Sequence, residues 1–159
     1  MDHIWLNLGC SDDLKEDFIN VDCRKFDDFE RKCYVCETVD LSKPWPWPDN
    51  HVDFILANDI IEHLPDHVLT MNEMWRVLKP GAVAQIWVPT TEGRGAFQDP
   101  NHKSFWNRNS FFYYTRGIPE RERFGNDYGV KAYFDVVKEE TQSLVDSVIK
   151  LVIVLKAVK

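Results

Sequence analysis

The stretch IWLNLGCSDDLKEDFINVD, residues 4–22, decides the fold. Its first five residues form a short apolar run that ends at Gly9, which is typical of a buried strand entering a tight turn. Residues 18–22 predict a second buried strand that ends on a carboxylate. Only about ten residues separate the two strands, near the lower limit for a connection that contains a helix. We therefore expect two strands joined by an abbreviated crossover.

Alternating strand and helix patterns continue beyond this stretch. Apolar runs predict three further strands, at residues 34–39, 52–58 and 82–88. Asp66 is a suitable N-cap, and apolar residues recur after it at helical spacing until Pro80. This alternation predicts a parallel, doubly wound α/β sheet. Two β-rich runs, 132–138 and 148–158, are joined too closely for a typical crossover helix, so they are expected to pair antiparallel.

The composition indicates one acidic globular domain over residues 1–159. Hydrophobic residues make up 44% of the chain, enough for an ordinary core, which excludes disorder of the whole chain. No apolar run approaches the roughly 20 residues of a membrane span, and Met1-Asp2-His3 lacks the basic start of a signal peptide. We therefore expect a cytoplasmic protein that does not enter membranes.

Four cysteines limit the metal and disulfide chemistry: Cys10, Cys23, Cys33 and Cys36. Only the last two form a CxxC pair, and a zinc ribbon needs a second close pair. We expect small buried thiols in strands of a protein from a reducing compartment.

Charge is distributed unevenly along the chain. Residues 1–66 hold 16 acids and 6 bases, whereas residues 94–123 hold 6 bases and 3 acids. The acidic first half disfavours nucleic acid and suits a ligand that carries positive charge. The basic stretch is either a solvated surface or a contact for an anionic substrate. It lies in an irregular segment, 89–130, rich in glycine, asparagine, arginine and aromatic residues, where open α/β sheets bind ligands.

The strand ends carry polar residues suited to a nucleoside. A carboxylate after the second strand, Asp22, can accept hydrogen bonds from both ribose hydroxyls, and Asp40 after the third can accept one from an adenine amino group. Either aspartate is equally typical of a turn or a helix cap. A nicotinamide-binding turn needs G-x-G-x-x-G, but here Gly9-Cys-Ser-Asp-Asp-Leu has one glycine and two acids, which would repel a pyrophosphate.

Together these motifs resemble the class I S-adenosylmethionine-dependent methyltransferases, in particular small members of the type 11 group. The matching motifs, in order, are LNLGC (6–10), FINVD (18–22), DL (40–41), PWPDNHVDF (46–54), NDIIEHL (58–64), RVLKPG (76–81) and VP (88–89). The resemblance covers residues 4–89, and DPNH (99–102) with FW (105–106) is similar to an element of some members. It implies a three-layer Rossmann-like sheet of about seven strands, mostly parallel, with an antiparallel C-terminal hairpin.

The resemblance also implies S-adenosyl-L-methionine as cofactor and S-adenosyl-L-homocysteine as product. The residues expected to contact the cofactor are Leu8, Gly9 and Cys10 at the methionine part, Asp22 and Cys23 at the ribose, Asp40 and Leu41 at the adenine, and Asn58 and Asp59 at the methionine end. Ser11 departs from the family, which usually has a second glycine there. The helices that usually precede strand one are missing as well. These departures predict a more open pocket with lower cofactor affinity.

Methyl transfer is an in-line displacement, so the protein orients the reactants and removes a proton from a hydroxyl or amine acceptor. His63 and His102 are the candidate bases. Asp59, Glu62 and His63 stand at spacings i, i+3 and i+4, which converge if the chain turns into a helical start. A similar acid-x-x-Glu-His run binds a divalent ion in some O-methyltransferases, with His102 available here as a fourth ligand. A metal such as Mg or Mn is therefore an alternative to a plain base.

The expected reaction is methyl transfer to an oxygen or nitrogen atom of a small molecule or sugar-like acceptor. One alternative is a catalytically silent cofactor-binding partner or regulatory subunit. Another is a nicotinamide-nucleotide-binding oxidoreductase. The acceptor, and whether the chain forms homo-oligomers or joins a partner subunit, stay open at this point.

Overall fold

The computed structural model describes residues 3–159. Met1 and Asp2 belong to the stretch on which the expectation about a signal peptide rests, and they lie outside the described residues. The strands are β1 (Trp5–Leu8), β2 (Ile19–Asp22), β3 (Val35–Thr38), β4 (Val52–Asn58), β5 (Leu78–Pro89), β6 (Phe134–Ser143) and β7 (Ile149–Ala157). The α-helices are α1 (Asp28–Cys33), α2 (His67–Val77), α3 (Gly95–Gln98) and α4 (Pro119–Phe124). Short 3₁₀ helices cover Ile61–His63 and Arg108–Tyr114.

The strands form one seven-stranded sheet in the order β3-β2-β1-β4-β5-β7-β6. The first five pair in parallel, and β7 runs antiparallel to both β5 and β6. This confirms the α/β sheet with its antiparallel C-terminal hairpin. The strand order reverses between β1 and β4, and ligands of open α/β sheets bind in the crevice at such a point.

The connection from β1 to β2 is the abbreviated one that the sequence predicts, and it forms turns rather than a helix. Two buried asparagines hold it in place: Asn7 is 2% exposed and Asn20 is fully buried. The Asn7 amide donates to the Asp13 carbonyl at 2.7 Å and to Asn20 Oδ1 at 3.1 Å, and Asn20 Oδ1 also accepts from the Lys15 backbone at 2.9 Å. These side-chain amides satisfy backbone groups that a helix would otherwise pair.

A tryptophan-rich loop, rather than a helix, joins β3 to β4. Trp45 and Trp47 are 4% and 7% exposed, and their rings meet edge to face with centroids 5.9 Å apart. Arg76 of α2 donates to both of their carbonyls, at 3.0 and 2.9 Å, and forms an ion pair with the buried Glu73 at 2.8 Å. The helix therefore fixes the loop that follows Asp40.

Two strand boundaries differ from the prediction by more than two residues. Strand β5 begins at Leu78, directly after α2, and not at residue 82. Strand β6 continues to Ser143, well past the predicted end at residue 138. Residues 139–143 are polar and form part of an edge strand that pairs only with β7, so their sequence lacks the apolar pattern of a buried strand.

The segment 89–130 contributes to the core. Trp106 is fully buried, and Phe111 and Tyr114 are 1% and 4% exposed. Phe97 and Phe105 are instead 60% and 46% exposed and stack on each other with centroids 5.2 Å apart. Within residues 3–159, no helix is long and apolar enough to cross a bilayer.

Candidate cofactor and acceptor site

Two cavities adjoin at Gly9, at the carboxyl ends of β1, β2 and β4. The first has a volume of about 370 Å³, and its wall includes the predicted residues Gly9, Asp22, Cys23, Asp40, Leu41 and His63. The second has a volume of about 350 Å³, and its wall includes the predicted residues Gly9, Cys10, Asn58 and Asp59. Both volumes fall in the range of about 300–1,000 Å³ that is typical of small-molecule sites. Leu8 lines neither cavity, because its side chain lies in the core and is 1% exposed.

Gly9 is the residue that both cavities share. Its φ is +62°, a left-handed conformation that glycine adopts without a steric penalty. A Cβ atom here would lie 2.5 Å from Cγ1 of Ile60, which lines the first cavity. Glycine therefore allows the turn after β1 to approach the turn after β4, and this approach shapes both cavities.

Asp22 ends β2 in the wall of the first cavity, and backbone hydrogen bonds fix its carboxylate. Oδ2 accepts from the Ser11 backbone at 2.9 Å, and Oδ1 accepts from the Arg24 backbone at 3.0 Å. Ser11, which stands where the resembled family usually has a second glycine, has a φ of +44°, and its bond to Asp22 stabilises that conformation. Each carboxylate oxygen keeps acceptor capacity for a ligand.

Asp40 lines the first cavity and also forms the turn after β3. Its Oδ1 accepts from the Ser42 backbone at 3.1 Å and from the Ser42 hydroxyl at 2.6 Å, and Lys43 lies 2.9 Å from Oδ2. The hydrogen bond from the Ser42 hydroxyl, together with the bonds from Lys43 and the Ser42 backbone, lowers the pKa of Asp40 to about 2. The carboxylate is thus ionised over the whole physiological range.

The second cavity is lined by carboxylates and amides. Asp12, Asp13 and Asn58 share its wall with Asp59. Asp59 has a φ of +50° and forms an ion pair with Lys150 of β7, whereas its Oδ1 is buried and has no hydrogen-bond partner among residues 3–159. Such a wall suits a positively charged group that also donates hydrogen bonds, because buried acceptors are costly without partners.

Beside the first cavity, the 3₁₀ helix Ile61–His63 brings Glu62 and His63 close to His102. The two imidazole rings meet edge to face with centroids 4.9 Å apart. Glu62 is 2% exposed, and burial, with the nearby charge of Asp59, raises the pKa of its carboxyl to about 8. Asp59 does not belong to this group, so the convergence predicted from the spacing of Asp59, Glu62 and His63 is not observed for Asp59.

Sequence reasoning did not identify Lys103 or Lys150 as site residues. Lys103 lines the first cavity, and its backbone donates to the Glu62 carbonyl at 2.8 Å, so the segment 89–130 closes one side of the site. The basic composition of residues 94–123 was the available signal for Lys103. Lys150 is far along the chain, and only the pairing of β5 with β7 brings it to Asp59.

Comparison with known proteins finds similarity to a methyltransferase domain. A family model described as a methyltransferase domain, type 11, matches residues 13–86. The trans-aconitate 2-methyltransferase of Azoarcus sp. (strain BH72) is 36% identical over 56 residues, which are 35% of this chain and only 20% of that protein's length.

Solved structures share the fold at low sequence identity. The [4+2]-cyclase SpnF superposes with a TM-score of 0.66 at 13% identity, over 99% of this chain and 76% of that one. The 1,6-didemethyltoxoflavin-N1-methyltransferase of Burkholderia thailandensis, solved with S-adenosylhomocysteine, superposes with a TM-score of 0.62 at 14% identity, over 98% and 71% of the two chains. In its motifs over residues 13–86 and in its seven-stranded sheet, the chain is similar to the type 11 group of class I S-adenosylmethionine-dependent methyltransferases.

Proposed function

We propose that this chain binds S-adenosyl-L-methionine across the two cavities and transfers its methyl group to a small-molecule acceptor. The supporting observation is that the predicted cofactor residues, apart from Leu8, line two cavities that adjoin at Gly9. In this proposal the adenosine occupies the first cavity, with Asp22 accepting from the ribose hydroxyls and Asp40 from the adenine amino group. The methionine end occupies the second, acidic cavity.

When bound, the cofactor supplies an electrophilic methyl group on a positively charged sulfur. The chain's own residues orient the two reactants and accept a proton. His63 lines the first cavity, and its Nδ1 lies 3.4 Å from the Asn101 carbonyl. If Nδ1 carries the proton, Nε2 is the acceptor, which suits a base for a hydroxyl or amine. His102 stands beside it as the second candidate base.

The acceptor that we propose is an oxygen or nitrogen atom of a small molecule. Two of the compared proteins are named for small acceptors, trans-aconitate and 1,6-didemethyltoxoflavin. Lys103 in the cavity wall adds a positive charge that suits an acceptor with an anionic group. We propose the cytoplasm as its location, because the four cysteines are free thiols, as in a reducing compartment. The expectation that these thiols are buried is wrong except for Cys10, since Cys23 and Cys33 are exposed and Cys36 is partly exposed.

Substitution of Asp22 tests the cofactor assignment. Asp22→Ala removes hydrogen bonds to a charged acceptor and should weaken S-adenosylhomocysteine binding by about 1.5–3 kcal/mol, or roughly 10- to 150-fold. Isothermal titration calorimetry measures the change. Asp17→Ala, at an exposed aspartate outside both cavities, is the matched control and should bind like the wild type. Equal affinity in a folded Asp22→Ala protein would contradict the ribose assignment.

A second candidate function is cofactor binding without methyl transfer, either in a regulatory subunit or in an enzyme with another reaction. SpnF shares this fold and is named as a [4+2]-cyclase, not as a methyltransferase, which supports this alternative. A screen of metabolites with methyl-labelled cofactor separates the two, since a silent binder gives S-adenosylhomocysteine affinity but no labelled product. A titration with NADH tests the oxidoreductase alternative, which Asp12 and Asp13 disfavour because they would repel a pyrophosphate.

A further inference from the structure

Three metal-ligand side chains converge beside the first cavity: Glu62, His63 and His102. One ligand atom from each lies within 4.8 Å of the other two. Around an ion with bonds of about 2.0–2.2 Å, ligand atoms stand roughly 3–4.4 Å apart. Small side-chain rotations would therefore bring the three atoms to coordination distance.

Both imidazoles direct the same nitrogen toward a backbone carbonyl. His102 Nδ1 lies 2.8 Å from the Ala96 carbonyl, and His63 Nδ1 lies 3.4 Å from the Asn101 carbonyl. A carbonyl can only accept, so each Nδ1 carries a proton, and Nε2 is the nitrogen that has the lone pair when the ring is neutral. Histidine ligands of metal ions have this arrangement, in which the second nitrogen donates to a backbone carbonyl or a carboxylate.

Glu62 points to a cation independently of the histidines. Its side chain is 2% exposed, and Oε2 has no hydrogen-bond partner within residues 3–159. Buried acidic oxygens are usually paired with a cation or with donors, because desolvation is otherwise uncompensated. Lys150, a nearby cation, is already paired with Asp59. A divalent ion between Glu62 and the histidines would satisfy this oxygen.

We propose that Glu62, His63 and His102 bind one divalent transition-metal ion through two imidazole nitrogens and one carboxylate. This set of ligands suits Zn²⁺, Mn²⁺, Fe²⁺ or Co²⁺, whereas Mg²⁺ and Ca²⁺ prefer sites made of oxygen ligands. Asp59 is excluded from the ligand set by its position beside Lys150. Because His63 lines the first cavity, the remaining coordination positions would be open to an oxygen atom of the acceptor. With an ion bound, the two Nε2 atoms are metal ligands, so the histidines are then not the bases described above. That last role rests on the proposed methyl transfer, whereas metal binding itself does not.

Direct metal binding tests the proposal without any cofactor. Protein dialysed against a chelator is titrated with Co²⁺, followed by its visible absorption, and with Zn²⁺, followed by calorimetry. We expect one ion per chain. Glu62→Gln and His102→Gln should each reduce the affinity at least tenfold. His51→Gln, at a histidine outside the cluster, is the matched control and should leave the affinity unchanged.

A second measurement uses the wild-type protein, so it does not depend on folding of the variants. In ¹⁵N NMR spectra, Zn²⁺ should shift the Nε2 signals of His63 and His102 and leave those of His51 and His67 in place. Shifts at other histidines, no saturable binding, or equal binding in wild type and both variants would overturn the proposal. Binding of S-adenosylhomocysteine is measured separately through Asp22, so failure of the metal site is distinguishable from failure of the proposed function.

Discussion

Glu62→Gln should stabilise the metal-free protein, and the gain should grow with pH. Burial raises the pKa of Glu62 from 4.5 to about 8. Below the unfolded pKa of about 4.5, the Glu62 carboxyl is protonated in both the folded and the unfolded protein, so it does not lower the free energy of unfolding. As the pH rises from 4.5 toward 8, the unfolded protein releases this proton more readily than the folded protein, so the free energy of unfolding falls. Glutamine has nearly the same shape and stays neutral, so the variant avoids this loss.

The magnitude follows from the size of the shift. Each pKa unit corresponds to about 1.4 kcal/mol, so between pH 5 and pH 7 the wild type should lose roughly 2–3 kcal/mol relative to the variant. Below pH 4 the two proteins should differ little, because the wild-type carboxyl is then protonated in both folded and unfolded states.

Urea unfolding at pH 5, 6, 7 and 8, in the presence of chelator, gives the free energy of unfolding for each protein. The difference between variant and wild type isolates Glu62 from other titrating groups. Glu16→Gln, at an exposed glutamate of the first crossover, is the control for removal of one negative charge. A difference that stays constant or falls as the pH rises would refute the reasoning. Saturating Zn²⁺ should reverse the order of stability if the metal site exists, because the ion stabilises the carboxylate of the wild type.

Two further substitutions test how the fold supports the site. Gly9→Ala places a Cβ atom 2.5 Å from Ile60 on a residue in the left-handed conformation. Thermal or urea unfolding should therefore show a loss of about 2–4 kcal/mol in the free energy of unfolding, and S-adenosylhomocysteine binding should weaken as well. Unchanged stability would contradict the close approach of the two turns. Arg76→Ala leaves the buried Glu73 without its cation and should lower the free energy of unfolding by roughly 2–3 kcal/mol, after allowance for the partial exposure of the arginine. A second substitution in the same protein, Glu73→Gln, should restore part of this loss. Equal losses in the single and double variants would show that the ion pair is not the cause.

The parallel sheet was predictable because its central strands β1 and β4 are largely buried and therefore form apolar runs, as in residues 4–8 and 52–58. The predicted strands that end at Asp22 and Asn58 differ from β2 and β4 by one residue at most. The edge strand β6 was only half predicted, because solvent covers one side of it and its second half is polar. Buried polar residues are also hard to predict, since nothing local distinguishes Asn7 and Asn20 from the asparagines of ordinary turns.

The candidate cofactor residues were predictable for a related reason: residues that follow parallel strands meet at one edge of the sheet. The hydrogen bonds, ion pairs and burial of the individual side chains were not predictable. Asp40 is held in its turn by Ser42, Asp59 is paired with Lys150, and Glu62 is buried. These facts depend on contacts between residues far apart in the chain, such as the pairing of β5 with β7, which local patterns do not encode.

The uneven charge of the sequence is reflected in the walls of the two cavities. The acidic first half supplies Asp22 and Asp40 to the first cavity and the carboxylates of the second, while the basic segment supplies Lys103 to the first cavity. In the proposed reaction the cofactor carries a positive sulfonium that its product lacks, so the acidic walls would attract the cofactor more strongly than the product. Lys103 would attract an anionic acceptor. The same division of charge would therefore favour both binding of the reactants and release of the neutral product, without a change in the fold.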